Sequence, residues 1–207
     1  MTLKEAYYET DHRLSVKFSH YIEIYENFFL PFKFHPINVI EIGVARCGFI
    51  EVLKHYFGSY AKVIGLDPIG GEDVIVGRQQ DIESMEKVKE IMPEIDILID
   101  DASHVPEDQI STFMNFFPLI KSPGLYIIED TQFSYSPKYG GYKKPGTFME
   151  FIKDRIDDLN SCFFEPGDPK PLSIIRQAFG IHIYTNIVII EKRNVNVVSP
   201  VWIGKNE

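Results

Sequence analysis

Only two cysteines, Cys47 and Cys162, occur in 207 residues, and neither belongs to a CxxC pair. That scarcity excludes a disulfide framework and a cysteine-ligated zinc site, and both thiols are expected to be buried, reduced small hydrophobes. Basic residues are not in excess: 21 Lys and Arg face 30 Asp and Glu, a formal charge of −9. Nucleic-acid binding rests on cationic side chains that displace counterions, so no nucleic-acid partner is expected. No run approaches the ~20 apolar residues that a membrane span needs. The N-terminus MTLKEAYYETDHRLS has no apolar stretch after a basic start, and a soluble, cytoplasmic chain without a membrane partner is the expectation. Internal repeats, low-complexity tracts and Gly/Ser linkers are missing too.

What is present is apolar and aromatic: 44% of the residues are hydrophobic, with 16 Phe and 11 Tyr. Such a chain buries enough surface to offset its ordering entropy, and its length suits one domain, residues 1–207. Within it an N-terminal helical segment, 1–36, precedes a core, 37–207, with the boundary near His35-Pro36. In the first part Leu14, Phe18, Tyr21, Ile22, Tyr25, Phe28 and Phe29 recur at three- and four-residue spacing, which predicts an aromatic-rich stripe on one helical face. It either packs on the core or closes over a ligand.

From Asn38 onward short apolar runs alternate with helical patterns. NVIEIGV, KVIGLDP, IDILIDDAS and GLYIIEDT read as strands, separated by helices through Ile50–Phe57, Ile82–Met92 and Ile110–Phe117. A helix through Phe148–Ile156 and a last strand, IHIYTNIVIIEK, follow. This alternation predicts an α/β fold with a doubly wound, mostly parallel sheet. The strands are continuously apolar, as strands covered on both faces are. Ligands of such sheets bind at the carboxyl ends of the strands.

Those ends are acidic: Glu41, then Asp67, then Asp100-Asp101, then Glu129-Asp130. Carboxylates gathered on one edge repel each other unless a cation or donor groups compensate. The segment Glu41-Ile42-Gly43-Val44-Ala45-Arg46-Cys47-Gly48 follows the first strand and opens a helix, where a nucleotide-binding glycine loop would lie, although the full GxGxxG is missing. Asp67 follows about 20 residues later, the place of a carboxylate that bonds ribose hydroxyls. Loop and acid together indicate a nucleoside-type cofactor; a tight turn with a helix cap is the plainer alternative. Asp101, Glu129 and Asp130 present hard oxygen ligands suited to Mg²⁺ or another divalent cation. His104, three residues after Asp101, is placed to act as a general base beside them, or simply to cap the helix that starts near Pro106.

The series E-I-G-V, G-L-D, I-D-D-A-S-H and I-I-E-D-T followed by Y-S-P-K-Y-G-G resembles the metal-dependent, S-adenosylmethionine-dependent sugar O-methyltransferases of macrolide biosynthesis, the macrocin and mycinamicin type. The resemblance extends to Thr10-Asp11, to the Tyr21, Tyr25-Glu26 helix and to the terminal I-H-I-Y-x-N-I-V-I-I-E-K, with E-D 25 residues after the His of D-x-x-H. It implies a Rossmann-like class I methyltransferase fold, a seven-stranded sheet with an antiparallel C-terminal strand. It further implies S-adenosylmethionine and Mg²⁺ as cofactors and His104 as the catalytic base. Asp101, Glu129 and Asp130 become the metal ligands, and Glu41, Gly43, Val44, Gly48, Asp67, Gln79, Asp81 and Asp100 the cofactor pocket. The chain departs from the family at Cys47-Gly48, where G-G is common, and at Gly77-Arg78-Gln79-Gln80-Asp81, where G-D-Q-x-D is.

The activity so implied is methyl transfer to a hydroxyl of a sugar or sugar-containing natural product or glycan, a small-molecule acceptor. Phe133, Tyr135, Tyr139 and Tyr142 with Gly140-Gly141 are expected to form a mobile wall over that acceptor. A cephalosporin hydroxylase-like oxygenase is the nearest alternative, lacking here the 2-His-1-carboxylate triad. A non-catalytic S-adenosylmethionine-binding domain and a nicotinamide-dependent dehydrogenase are the others. The His182–Ile190 run and Trp202 in VVSPVWIG are candidates for an edge that pairs in a homo-oligomer.

Overall fold

The protein is described from a computed structural model covering residues 1–9, 11–194 and 200–204; Thr10 and Val197, Val198 and Ser199 of the segments named above lie outside the described residues. Its strands explain their own composition. Along β1 (Ile37–Ile42) Val39 belongs to one core and Ile40 to another, and along β4 (Ile95–Asp100) Ile97 and Leu98 divide in the same way. Successive side chains of a strand point to opposite faces, so a run without polar residues has to be covered on both sides. On one face Val39, Ile97, Ile99 and Leu125 pack with α2 (Ser19–Phe29) and α3 (Gly48–Phe57) through Tyr21, Tyr25, Phe29, Phe49 and Leu53. On the other, Ile40, Ile42, Leu98 and Ile128 meet Val88 of α4 (Ile82–Ile91), Phe113 and Phe116 of α5 (Pro106–Phe116), and Phe148 and Ile152 of α6 (Phe148–Leu159). Truncating one such side chain to Ala costs about 2–5 kcal/mol.

Helix ends follow local chemistry. Thr2 and Glu5 form a reciprocal capping box on α1 (Leu3–Tyr8). Pro106 occupies the first turn of α5, where its missing N–H is not needed, and the Thr147 hydroxyl accepts from the Glu150 N–H at the start of α6.

The sheet has seven strands in the order β3-β2-β1-β4-β5-β7-β6. β1, β2 (Ala61–Asp67), β3 (Val74–Val76), β4 and β5 (Ile120–Ile128) run parallel, and β7 (Ile187–Lys192) is antiparallel to both β5 and β6 (Ala178–Tyr184). The chain leaves β1 towards β2 on one side and returns to β4 on the other. The carboxyl ends of β1 and β4 therefore flank the topological switch point, where open α/β sheets hold their ligands.

Three expectations need correction, and one strand was not anticipated. IHIYTNIVIIEK is not one strand but a hairpin, turning at Thr185-Asn186 with Asn186 at φ 65°. The aromatic stripe is shorter than its periodicity implies: α2 begins at Ser19, and Leu14 and Phe18 lie exposed on an extended segment before it. β3, with three residues, carries too little pattern to be read as a strand. Cys47 is buried but Cys162 is exposed. Trp202 is 91% exposed, and among the described residues no helix is long and apolar enough to cross a membrane.

Candidate functional site

The end of β1 is shaped by one glycine. Gly43 has φ 85°, and a Cβ there would lie 2.5 Å from the Cα of Ala102 and 2.7 Å from the carbonyl carbon of Asp101, so the loops after β1 and β4 touch through it. Beyond it Ala45 and Cys47 also take left-handed conformations, at φ 47° and 61°, in the turn that opens α3. Asp67, at the end of β2, fixes this turn: Oδ2 accepts from the N–H groups of Val44 (3.0 Å) and Ala45 (3.3 Å), and Oδ1 from that of Ile69 (2.7 Å). Across the crevice Gln79 is buried, donating to the Thr112 hydroxyl (2.8 Å) and accepting from the Ser103 N–H (2.8 Å).

These groups line a cavity of about 560 Å³ that runs from Asp67 and Gln79 past Gly43 to Asp101, His104 and Asp130. Gly43, Asp67 and Gln79 are thus gathered as the sequence suggested; Glu41, Val44, Gly48, Asp81 and Asp100 do not line it. Each absence has a physical reason. Glu41 lies within β1 and points to a buried lysine. The Val44 side chain packs over Gly65. Gly48 makes room for the N-terminal segment, since a Cβ there would sit 2.5 Å from the Leu14 carbonyl oxygen. Asp81 is exposed where α4 begins. Asp100 is buried 3.4 Å behind the Gln79 amide, and burial, reinforced by the neighbouring Asp101, pushes its pKa up to about 8.

At the other end Asp101, His104 and Asp130 offer ligand atoms within 4.8 Å of one another. His104 and Asp130 both adopt φ 56°, the left-handed strain that concentrates at functional sites. His104 Nε2 is 3.6 Å from Asp130 Oδ2, its Nδ1 is buried without a partner, and its ring stacks on Phe133 at 4.9 Å and 8°. Phe133 is in turn met edge-on by Tyr139. These two rings support the histidine, whereas Tyr135 and Tyr142 stack on each other at the surface.

Glu129 stands deeper, 2% exposed, and its Oε1 accepts from both Lys17 (2.7 Å) and the Tyr25 hydroxyl. Lys17 also donates to Glu41 Oε1 (3.1 Å) and Asp101 Oδ2 (2.7 Å). Burial would depress this ammonium, but the three carboxylates hold its pKa well above the ordinary value. Burial raises Glu41 to about 7 and Glu129 to about 8, with Lys17 opposing the rise in both. The Tyr21 hydroxyl donates to the Asn186 carbonyl (2.8 Å), accepts from the Asp130 N–H (3.3 Å) and lies 3.3 Å from Asp130 Oδ1. Lys17 and Phe133 were not singled out as parts of an acid site from the sequence; a lone lysine in the run SVKF was the one visible signal.

A seven-stranded sheet in this order, with a ligand-sized crevice at the switch point, is the Rossmann-like fold of class I methyltransferases. No family model matches the chain. It is 30% identical over 203 residues to the mycinamicin VI 2''-O-methyltransferase of Micromonospora griseorubida, covering 88% of this chain and 50% of that one. A tetracenomycin relative from Streptomyces olivaceus, the 8-demethyl-8-(2-methoxy-alpha-L-rhamnosyl)-tetracenomycin-C 3'-O-methyltransferase, is 29% identical over 188 residues, 82% of this chain and 48% of its own. Among solved structures, the MycE methyltransferase of the mycinamycin biosynthetic pathway, in complex with Mg, SAH and mycinamycin VI, superposes with a TM-score of 0.80 at 28% identity, over 99% of this chain and 56% of that one. The protein is accordingly a homologue of the sugar O-methyltransferases of macrolide and tetracenomycin pathways, and it spans about half the length of the curated relatives it matches.

Proposed function

We propose that the protein transfers a methyl group from S-adenosylmethionine to a hydroxyl of a sugar carried by a natural product or glycan, with a divalent cation at the acid cluster and His104 as the base. One observation carries this reading: a single crevice has a nucleoside-type end at Gly43, Asp67 and Gln79 and an acid and histidine end at Asp101, His104 and Asp130. The relatives and the solved neighbour act on sugars of glycosylated small molecules, which supports the acceptor class.

The donor set suits a hard cation. Asp101 and Asp130 are about one-fifth exposed at the crevice, and Glu129 reaches the same small cavity from below. Asp101, Glu129 and Asp130 would hold the ion, which when bound supplies Lewis acidity that makes an alcohol a better nucleophile. The remaining work belongs to the chain. Asp67 and Gln79 bind and orient the cofactor so that its sulfonium methyl faces the acceptor oxygen. His104 Nε2, the ring nitrogen beside Asp130, takes the hydroxyl proton, and Asp130 stabilises the resulting imidazolium. Phe133 fixes the ring plane. The carbon–sulfur bond breaks as the oxygen–carbon bond forms, yielding a methyl ether and S-adenosylhomocysteine.

The test is methyl transfer from radiolabelled S-adenosylmethionine to a rhamnosylated polyketide, with Mg²⁺ or with a chelator. Label in the sugar only with Mg²⁺ is expected; label that persists in the chelator removes the metal, and oxygen consumption in place of methylation removes the reaction itself.

A further inference from the structure

The proposed methyl transfer makes no use of Lys17, yet this side chain is only 2% exposed. A buried ammonium is costly unless it is fully paired. Here each of its three N–H groups meets a carboxylate from a different strand end: Glu41 on β1, Asp101 after β4 and Glu129 after β5, with the Phe49 ring 4.5 Å away. The ammonium therefore stands where a small cation would stand, at the focus of three acids. A second observation marks the same place as a cation position: Glu41 Oε2 is buried there and accepts no hydrogen bond.

The lysine is delivered by a segment with no helix or strand of its own, residues 11–18. That segment is pinned at Arg13, whose backbone N–H and Nε both donate to Glu51. It is seated on Gly48, where no Cβ blocks the Leu14 carbonyl. Lys17 takes Asp101 Oδ2 and Glu129 Oε1, so Asp101 Oδ1 and Glu129 Oε2 remain for another ligand. Asp101, Glu129 and Asp130 line a cavity of about 140 Å³ together with Val16, Lys17 and Phe18.

We propose that the acid cluster holds two cation positions, and that Lys17 permanently fills the inner one, between Glu41, Asp101 and Glu129. The tethered ammonium keeps a second metal ion out and confines the divalent cation to the outer position, on the Asp130 and His104 side facing the crevice. The outer position rests on the function proposed above; the inner one rests on the contacts of Lys17 itself.

Mn²⁺ titration of the native protein, read by electron paramagnetic resonance of the free ion, is expected to give one bound equivalent per chain. Lys17→Met removes the charge at nearly constant volume and opens the inner position, so two equivalents are expected. Where the native protein binds one equivalent, one equivalent in a folded Lys17→Met protein, or none, overturns the proposal. The double variant Lys17→Met with Glu41→Gln removes the cation together with one of its acids and covers the case in which the single variant does not fold. It should fold and return to one equivalent with an affinity within about threefold of native. Loss of that equivalent shows that Lys17 supports the outer position instead of filling a separate one, and overturns the proposal. A native protein that binds no Mn²⁺ counts against the metal in the proposed function. In that case one equivalent gained by Lys17→Met still upholds the inner position, and no gain overturns it.

Discussion

Asp67 and Glu129 are both acids at the carboxyl edge of one sheet, and they are satisfied in opposite ways. Asp67 spends its oxygens on three backbone N–H groups of the turns around it, within a few residues of β1 and β2. Glu129 is met by side chains alone, Lys17 and Tyr25, from a segment more than a hundred residues earlier. The first half of the edge is thus a rigid cradle written in local backbone geometry. The second is a charge assembly whose parts arrive from afar, with Lys17 joining Glu41, Asp101 and Glu129. In the function proposed above, binding falls to the one half and chemistry to the other.

The largest test of that division is His104→Ala. Turnover is expected to fall by about 10²-fold or more, the usual contribution of a positioned base, while the affinity for S-adenosylhomocysteine measured by calorimetry stays within a factor of two. A loss of cofactor affinity as large as the loss of turnover would break the comparison. Asp67→Ala should do the reverse. Removing a carboxylate that holds the cradle should weaken S-adenosylhomocysteine by roughly 10- to 100-fold, the scale of a lost charged hydrogen bond, and leave Mn²⁺ binding intact; a parallel loss of metal would show the halves to be one unit.

A last test, on stability instead of turnover or binding, concerns Asp100. Its pKa is raised from 3.8 to about 8 by burial first and by Asp101 second. The folded state keeps a proton that the unfolded state releases, so this stabilisation is complete below pH 3.8 and disappears as the pH climbs through about 8. Denaturant unfolding of the chelated protein should show stability falling across that window, and Asp100→Asn should flatten the slope. An unchanged slope would place the ionisation elsewhere.

The same division governs what could be read from the sequence. β1, β2, β4 and β5 were legible because apolar residues dominate their runs, and Asp67, Asp100 and Glu129 because those runs end on or just before them. Gly43, Asp67 and Gln79 meet in one crevice because their relation is fixed by the fold's local order. Glu41 and Asp100 look like ligands on paper yet turn inward, since side-chain facing depends on a residue's place in the pleat and not on its nearness to the edge. Lys17 was illegible for a different reason: it lies in an extended segment without periodicity, and its three partners are 24, 84 and 112 residues away. Phe133 reads as one aromatic among several until the His104 ring is found against it.

Those sequence separations carry a kinetic consequence for the strap that bears Lys17. None of its three bonds forms within a local element, and the longest closes a loop of 112 residues, whose entropy must be met by strand pairing first. The sheet has to draw Glu41, Asp101 and Glu129 together before the ammonium that relieves their repulsion is in place. Closure of the acid site is therefore expected late in folding, with the N-terminal strap completing a structure whose last parallel strand, β5, begins more than a hundred residues after it.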